Sequence, residues 1–359
     1  MPLVSMRTIL DHAAEYGYGM PAFNITNLET LKGVMQAADA THSPAIVQVT
    51  RSARAYIGDA YLTEMLAGAL KSHPNTPLCI HLDHGNDLSA CEQAIGLGFS
   101  SVMMDGSLTA DGKTPSDYVY NSNVTSSVVR YAHQRGVSVE GEIGVLGSLE
   151  TGAGDQEDGH GFEGVLSKDK LVTDTEEAAD FVRDTNVDAL AVAIGTSHGA
   201  YKFSSKPTGE TLAMDALKRI HDRLPTTHLV MHGASTVPQE LQNALNEYGG
   251  RIPQTFGVPL EEVETAIKHG VRKVNIDTDI RMAVTATVRK YFARKPDSFD
   301  IRGYMNPAIE ATKSLCVERY ERFGCAGHGP RIAYVGLEEM AKRYANGTLT
   351  QQVSEARDL

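Results

Sequence analysis

Leu78-Cys79-Ile80-His81-Leu82-Asp83-His84-Gly85 is the stretch on which the fold is decided. Pro77 opens it, and Leu78, Cys79, Ile80 and Leu82 form a short apolar run that predicts a buried strand over Leu78–Leu82. Asp83 and His84 then fall at the strand's C-terminal end, where Gly85 frees the backbone to turn. A carboxylate beside an imidazole suits chemistry there, since Asp83 can move a proton and His84 can hold a metal through one ring nitrogen. An ordinary strand closing on a polar turn has the same appearance, so the rest of the chain must decide.

Outward from this stretch the chain alternates. Further strand-like segments lie at Met20–Asn24, Ala45–Val49, Ser101–Met104, Ser138–Gly141, Ala189–Ala193, His228–Met231 and Lys273–Ile276. Amphipathic helical patterns separate them, at Asn27–His42, Tyr61–Ser72, Leu88–Leu97, Asp117–Gln134, Thr211–Arg223, Pro238–Tyr248 and Pro259–His269, and Asp279–Ala293 follows the last strand. Gly98, Gly136 and Gly270 mark helix ends. Eight strands each followed by helix predict an α/β protein, a closed (β/α)8 TIM barrel whose active site sits at the C-terminal strand ends. One domain over residues 1–359 is expected, with 295–359 as a mainly helical C-terminal extension. An open doubly wound sheet is the competing architecture, but Phe23-Asn24-Ile25-Thr26 after the first strand is no G-x-G-x-x-G turn.

The 359 residues are 42% hydrophobic and 22% charged, as in a soluble globular protein. Nothing approaches a membrane span or a signal-peptide core. Cys79, Cys91, Cys316 and Cys325 form no C-x-x-C pair, which predicts reduced thiols in the cytoplasm. The formal charge of −12 argues against a nucleic-acid partner while leaving room for a small anion held by local donors.

The expected strand ends carry Asn24, Gln48 with Ser52, Asp83 with His84, Asp105, Glu140 with Glu142, His198, His232, and Asn275 with Asp277 and Thr278. Six of the thirteen histidines precede glycine, yet only His84, His198 and His232 among them follow apolar strands. Three imidazoles with open positions suit a catalytic zinc, although no H-x-x-x-H spacing supports one. A second signal is anion handling. Gly195-Thr196-Ser197-His198-Gly199-Ala200-Tyr201-Lys202 offers amides and a lysine, while His232-Gly233-Ala234-Ser235-Thr236 and Asn275-Ile276-Asp277-Thr278 precede helices whose N-termini bind anions. Plain turn and cap chemistry uses the same residue types.

Asp83-His84-Gly85, Glu140-Gly141-Glu142-Ile143-Gly144, Thr196-Ser197-His198-Gly199, Met231-His232-Gly233-Ala234-Ser235 and Asn275-Ile276-Asp277-Thr278-Asp279 together resemble the signature blocks of class II, metal-dependent fructose-1,6-bisphosphate aldolases. The resemblance runs in order from Met20-Pro21-Ala22-Phe23-Asn24 to about Arg331, and is greatest to the Calvin-cycle branch. It implies zinc on His84, His198 and His232, with Glu142 and its companion Asp105 at an alternative or second divalent position, and it leaves a monovalent cation open. Zinc would stabilise the enediolate formed when fructose 1,6-bisphosphate is cleaved to dihydroxyacetone phosphate and glyceraldehyde 3-phosphate. Asp83 matches the acid–base residue for the aldehyde oxygen. Glu150 is the candidate for the carbon proton, in a loop where Gly147-Ser148-Leu149-Glu150-Thr151 departs from the family's Gly-Gly-x-Glu-Asp. The choice between Glu150 and Glu142 stays open.

By the same resemblance Gly199, Lys202, Gly233, Ser235, Asp277 and Thr278 would hold one phosphate, and Asn275 the reactive end. Ser52, Arg281 and Arg302 would hold the second phosphate, with Arg302 reaching a neighbouring subunit's site in a homodimer or larger homo-oligomer. The implied partners are sugar bisphosphates and triose phosphates, with sedoheptulose 1,7-bisphosphate as a further substrate. A tagatose-bisphosphate or other ketose-bisphosphate aldolase, a metal hydrolase and a non-catalytic sugar-phosphate binder are the alternatives. A Schiff-base aldolase would need a buried lysine in mid-strand, and Lys273 is expected at a strand's start.

Overall fold

A computed structural model, describing residues 3–147, 164, 171–203, 206–207, 212–347 and 349, places eight parallel strands in a closed barrel in sequence order. They are β1 Met20–Asn24, β2 Ala45–Thr50, β3 Leu78–Gly85, β4 Ser101–Met104, β5 Ser138–Ile143, β6 Ala189–Val192, β7 His228–Met231 and β8 Val271–Ile276. β1 pairs with both β2 and β8, which closes the ring. Helices cover the outside, so the strands are buried on both faces, which is why they read as apolar runs. The expected TIM barrel is the fold observed.

The helices are α1 Met6–Tyr16, α2 Leu28–Thr41, α3 Arg51–Ile57, α4 Asp59–Ser72, α5 Leu88–Gly96, α6 Tyr118–His133 and α7 Thr175–Thr185. They continue as α8 Met214–Arg223, α9 Gln239–Glu247, α10 Leu260–Lys268, α11 Thr278–Arg294, α12 Ile301–Arg322 and α13 Leu337–Ala345. Of these, α1, α3 and α7 stand where the sequence predicted no element. Side-chain caps fix several starts: Asn27 and Thr30 form a reciprocal box at α2, and Asp87, Asp117 and Asp174 cap α5, α6 and α7.

Three strand boundaries differ in ways that matter for the site. β3 runs on to Gly85, β5 to Ile143, and β8 begins at Val271 rather than Lys273. Lys273 therefore lies in mid-strand and fully buried, correcting the expectation that it opens the strand. Residues two apart line one face of a strand, so the longer strands send His81 with Asp83, Glu140 with Glu142, and Lys273 with Asn275 the same way.

At the N-terminal end of the barrel strands, one carboxylate gathers four segments. Asp188, just before β6, accepts from Arg7 of α1 at 2.9 Å, the Tyr344 hydroxyl of α13 at 2.8 Å, and the Val139 amide of β5 at 2.7 Å. His133 Nε2 of α6 lies 2.9 Å from its other side, and the His133 ring stacks on Tyr344 at 3.7 Å. Burial opposes ionisation of Asp188, yet His133 and Arg7 hold its carboxyl well below the ordinary carboxylate range.

Asp188→Asn should cost about 3 kcal/mol in urea unfolding, the low end for a broken buried pair, because Arg7 stays buried with only the partly exposed Asp11, 3.4 Å away, as counter-charge. Since the folded carboxyl is the stronger acid, its contribution is complete above the unfolded value of ~3.9 and drains as pH falls towards the lower folded value. The variant's stability should therefore decline less steeply than the parent's through that acid window.

Candidate active site

The site grows from an irregularity in β3. Its pairing with β4 shifts register between Leu82 and Gly85, and His84 takes a left-handed backbone with φ of 50°. Neighbouring strand residues ordinarily face opposite ways, but here Asp83 and His84 both serve the barrel mouth. Asp83 is held between two amides, accepting from Asn24 Nδ2 at 2.9 Å and from Asn275 Nδ2 at 3.3 Å. Gln48 in turn donates to Asn24 Oδ1 in a close contact. Burial disfavours the Asp83 anion, but His84 and Lys273 more than offset that, and its carboxyl lies well below the usual range.

His84, His198 and His232 converge. Ligating atoms of the three lie within 4.8 Å of one another, and the ring centroids are 4.9, 5.1 and 5.4 Å apart. The outward nitrogen of two rings is engaged: His84 Nδ1 lies 3.0 Å from Asp105 Oδ2, and His232 Nε2 lies 2.8 Å from Glu140 Oε1. A carboxylate only accepts, so those nitrogens carry the hydrogens, leaving His84 Nε2 and His232 Nδ1 with lone pairs turned inward. His84 Nε2 is buried with no hydrogen-bond partner among the described residues. His232 Nδ1 faces His198 Nε2 at 3.3 Å and the Asn275 amide nitrogen at 3.3 Å, so its lone pair lies where the two other polar groups meet. These donors fit a three-histidine metal site with a position open to substrate. Burial works against the His84 cation, yet Asp83 and Asp105 raise that ring to about 9, so a proton competes with a metal for its inward Nε2.

A second group overlaps the first: ligand atoms of His84, Asp105 and Glu142 also lie within 4.8 Å of one another. Ser107 Oγ stands between its carboxylates, donating to Asp105 Oδ1 at 2.6 Å with Glu142 Oε1 3.4 Å away. Asp105 thus sits behind His84 as its orienting carboxylate as well as beside Glu142.

Beneath the histidines lies a polar layer that the sequence left without a role. Lys273 Nζ is 2.9 Å from Glu140 Oε2 and donates to Asn275 Oδ1 at 2.7 Å, and His81 Nε2 lies 3.4 Å from Glu140. All of these side chains are buried. The signal was available as polar residues two apart in otherwise apolar strands. Imine chemistry needs a lysine amine turned to substrate, whereas Lys273 is engaged by Glu140 and Asn275.

The loops after β6 and β7 carry most of the residues expected to hold an anion. Gly195, Gly199 and Gly233 all have positive φ. Lys202 is buried and donates to the carbonyls of Ser197 and, at 2.6 Å, Gly233, stapling the two loops. A Cβ on Gly233 would stand 2.6 Å from the Ser197 carbonyl oxygen, while one on Gly199 would meet nothing within 4 Å. Asp279, in the first turn of α11, steadies the β7 loop by accepting from the Thr236 and Val237 amides at 3.1 and 3.0 Å, with Arg319 of α12 behind it at 3.2 Å.

One cleft brings Asp83, His198, Gly199, Gly233, Ser235, Asn275, Asp277 and Thr278 together, joined by Asn24. Arg281 stands on its own helix, forked onto Asp277 at 2.8 and 2.6 Å. Ser52 lies in the first turn of α3, 2.9 Å from the Thr50 hydroxyl, and Arg302 is 85% exposed and paired with Asp300. Ser52, Arg281 and Arg302 are not among the residues that line the cleft. Glu150 lies outside the described residues.

Residues 4–328 match the family model described as class-II fructose-bisphosphate aldolase. A fructose-bisphosphate aldolase of Xanthobacter flavus is 57% identical, covering 98% of this chain and 100% of that protein. One of Stutzerimonas stutzeri is 55% identical over 99% of this chain and 100% of its own length. A "Fructose-bisphosphate aldolase class 2" of Synechocystis sp. is 56% identical over 98% of each. Among solved structures, the YdjI aldolase from Escherichia coli K12 aligns with a TM-score of 0.69 at 26% identity, covering 91% of this chain and 99% of that one.

The two loop glycines separate backbone strain from collision. Gly233→Ala should force the β6 and β7 loops apart, lowering the melting temperature and weakening inorganic phosphate binding by roughly tenfold, on the scale of 1–3 kcal/mol for a strained backbone site. Gly199→Ala, with the same sign of φ but open space, should do distinctly less in the same calorimetric titration.

Proposed function

The chain belongs to the class II fructose-bisphosphate aldolase family, and on that premise we propose that it cleaves fructose 1,6-bisphosphate reversibly, with a zinc ion on His84, His198 and His232. The observation that carries the metal assignment is the inward convergence of imidazole lone pairs, each fixed from behind by a carboxylate at His84 and His232. When bound, the metal supplies a Lewis acid for negative charge developing on the substrate's oxygens.

The rest is done by side chains and amides. Asp83, kept ionised and aimed by Asn24 and Asn275, takes the proton from the hydroxyl oxygen as the C–C bond breaks, and returns it in the condensation direction. Asn275 also offers its amide hydrogens to the reactive end. Glu150 is the base for the carbon proton. Glu142 with Asp105 makes a second divalent position. Gly199, Gly233, Ser235, Asp277 and Thr278 surround the triose phosphate group, using amides at the start of the 17-residue α11 and in the stapled loops. Lys202 supports this cradle by holding the two loops in register.

Ser52 and Arg281 bind the far phosphate, and Arg302, projecting from the start of α12, completes that end in a neighbouring copy's site. The protein then works as a homo-oligomer of at least two chains, in the cytoplasm, in glycolysis, gluconeogenesis and the Calvin cycle, and takes the seven-carbon bisphosphate as well. A bound monovalent cation belongs to the same proposal. No helix of the described residues is long and apolar enough to cross a membrane.

Chelation should abolish cleavage, zinc or cobalt should restore it, and borohydride added with substrate should leave the protein's mass unchanged. Full activity in verified metal-free protein would contradict the assignment.

Three substitutions divide the remaining roles. Asp83→Ala should cripple cleavage yet still exchange the triose phosphate carbon proton with solvent, whereas Glu150→Ala should slow both. Normal exchange in Glu150→Ala would move the base to Glu142. Arg302→Ala should lose roughly ten- to a hundredfold in kcat/KM on the bisphosphate, the scale of a charge-assisted phosphate contact. Mixing it with Asp83→Ala should regenerate activity if sites are shared, and subunit exchange without recovery would return Arg302 to its own chain.

A further inference from the structure

TIM-barrel interiors are usually filled by layers of branched apolar side chains. In this barrel, the layer under the three histidines holds an ion pair instead, Lys273 with Glu140 at 2.9 Å, both fully buried. Apolar residues of similar volume generally stabilise a core as well as or better than such a pair. Stability alone therefore gives no reason for it. The contacts do.

We propose that Lys273 and Glu140 act as one positioning unit, fixing which nitrogen His232 presents and which way the Asn275 amide faces. Glu140 divides its two oxygens: Oε1 accepts from His232 Nε2 at 2.8 Å, and Oε2 meets Lys273. That acceptor confines the His232 hydrogen to Nε2 and turns Nδ1 towards His198 at 3.3 Å. Lys273 also donates to Asn275 Oδ1 at 2.7 Å. A rotated Asn275 amide would set its NH2 group against the ammonium, so Nδ2 is kept facing Asp83 Oδ1 at 3.3 Å. One buried lysine thereby governs a histidine through Glu140 and the acid–base carboxylate through Asn275. Neither Lys273 nor Glu140 touches substrate in this arrangement.

The inference rests on the assignment of His84, His198 and His232 as metal ligands, and the test keeps the two apart. The full-length chain, stripped of metal, is titrated with zinc against a chromophoric chelator, and kcat and KM are measured on fructose 1,6-bisphosphate after saturation with zinc. Lys273→Met, Glu140→Gln and the double variant are compared with the parent. Each single change should weaken zinc by about ten- to a hundredfold, the usual effect of losing an outer partner of a ligand histidine. At saturating zinc, Lys273→Met should still lower kcat at least tenfold with KM little changed, because the Asn275 amide is no longer locked.

In zinc affinity the double variant should be no worse than the worse single, since there both residues act through the one Glu140–His232 contact. It also removes both charges at nearly constant volume, so it decides the matter if a single variant does not fold. Folded variants with zinc affinity and kcat within twofold of the parent, and only a lowered melting temperature, would overturn the proposal. A parent chain that takes up no zinc would instead overturn the metal assignment itself.

Discussion

A β-strand sends neighbouring side chains to opposite faces, and this site needs two neighbours on one face. The break in β3 resolves that conflict. The register shift against β4 and the left-handed backbone at His84 let Asp83 stay among the interior amides while His84 turns across the mouth to His198 and His232. Histidine tolerates positive φ better than most residues, though a strained residue of this kind costs of order 1–3 kcal/mol. The surrounding contacts over-determine it: Asp105 grips the ring from outside, and Gly85 lies where a side chain would strike the Met103 carbonyl at 2.6 Å.

Around that break, charge is distributed for a cation. Asp83, Asp105, Glu140 and Glu142 all lie within the mouth or just beneath it, and Lys273 is the interior cation that meets Glu140. A bare pocket of this composition repels an anionic sugar phosphate. The proposed phosphate side draws mainly on backbone amides and small residues at the start of α11 and in the loops after β6 and β7, although Asp277 lines the same cleft. The overall charge of −12 is compatible with an anionic ligand for this reason.

Most of the barrel was legible in the sequence because its strands are buried on both faces and bounded by turn residues. The site's histidines and loop glycines were legible because barrel chemistry collects at strand ends. Some of what was missed had local signals: α1 has Ser5 as its cap and Gly17 at its end, and α7 has Asp174 capping two amides. α3, with seven residues, is too short to show a helical period. Lys273 was hidden for a different reason. Arg272-Lys273 looks like the polar approach to a strand until Glu140, distant in the chain, is seen to neutralise the lysine inside the barrel. Partnership across the fold is the information that composition and periodicity lack. The same holds for Asp105, whose service to His84 as well as Glu142 is a matter of distance.

The Asp188 cluster joins the first helix of the described residues to the last, through Arg7 and Tyr344. During synthesis the N-terminal parts emerge first. Arg7, His133 and Asp188 will therefore have left the ribosome well before Tyr344 does. Until then the base of the barrel lacks the aromatic lid that stacks on His133 and shares Asp188. A nascent chain can assemble its strands, but its base stays unsealed until Tyr344 arrives, so a chain cut before Tyr344 would leave His133 and Asp188 without that cover.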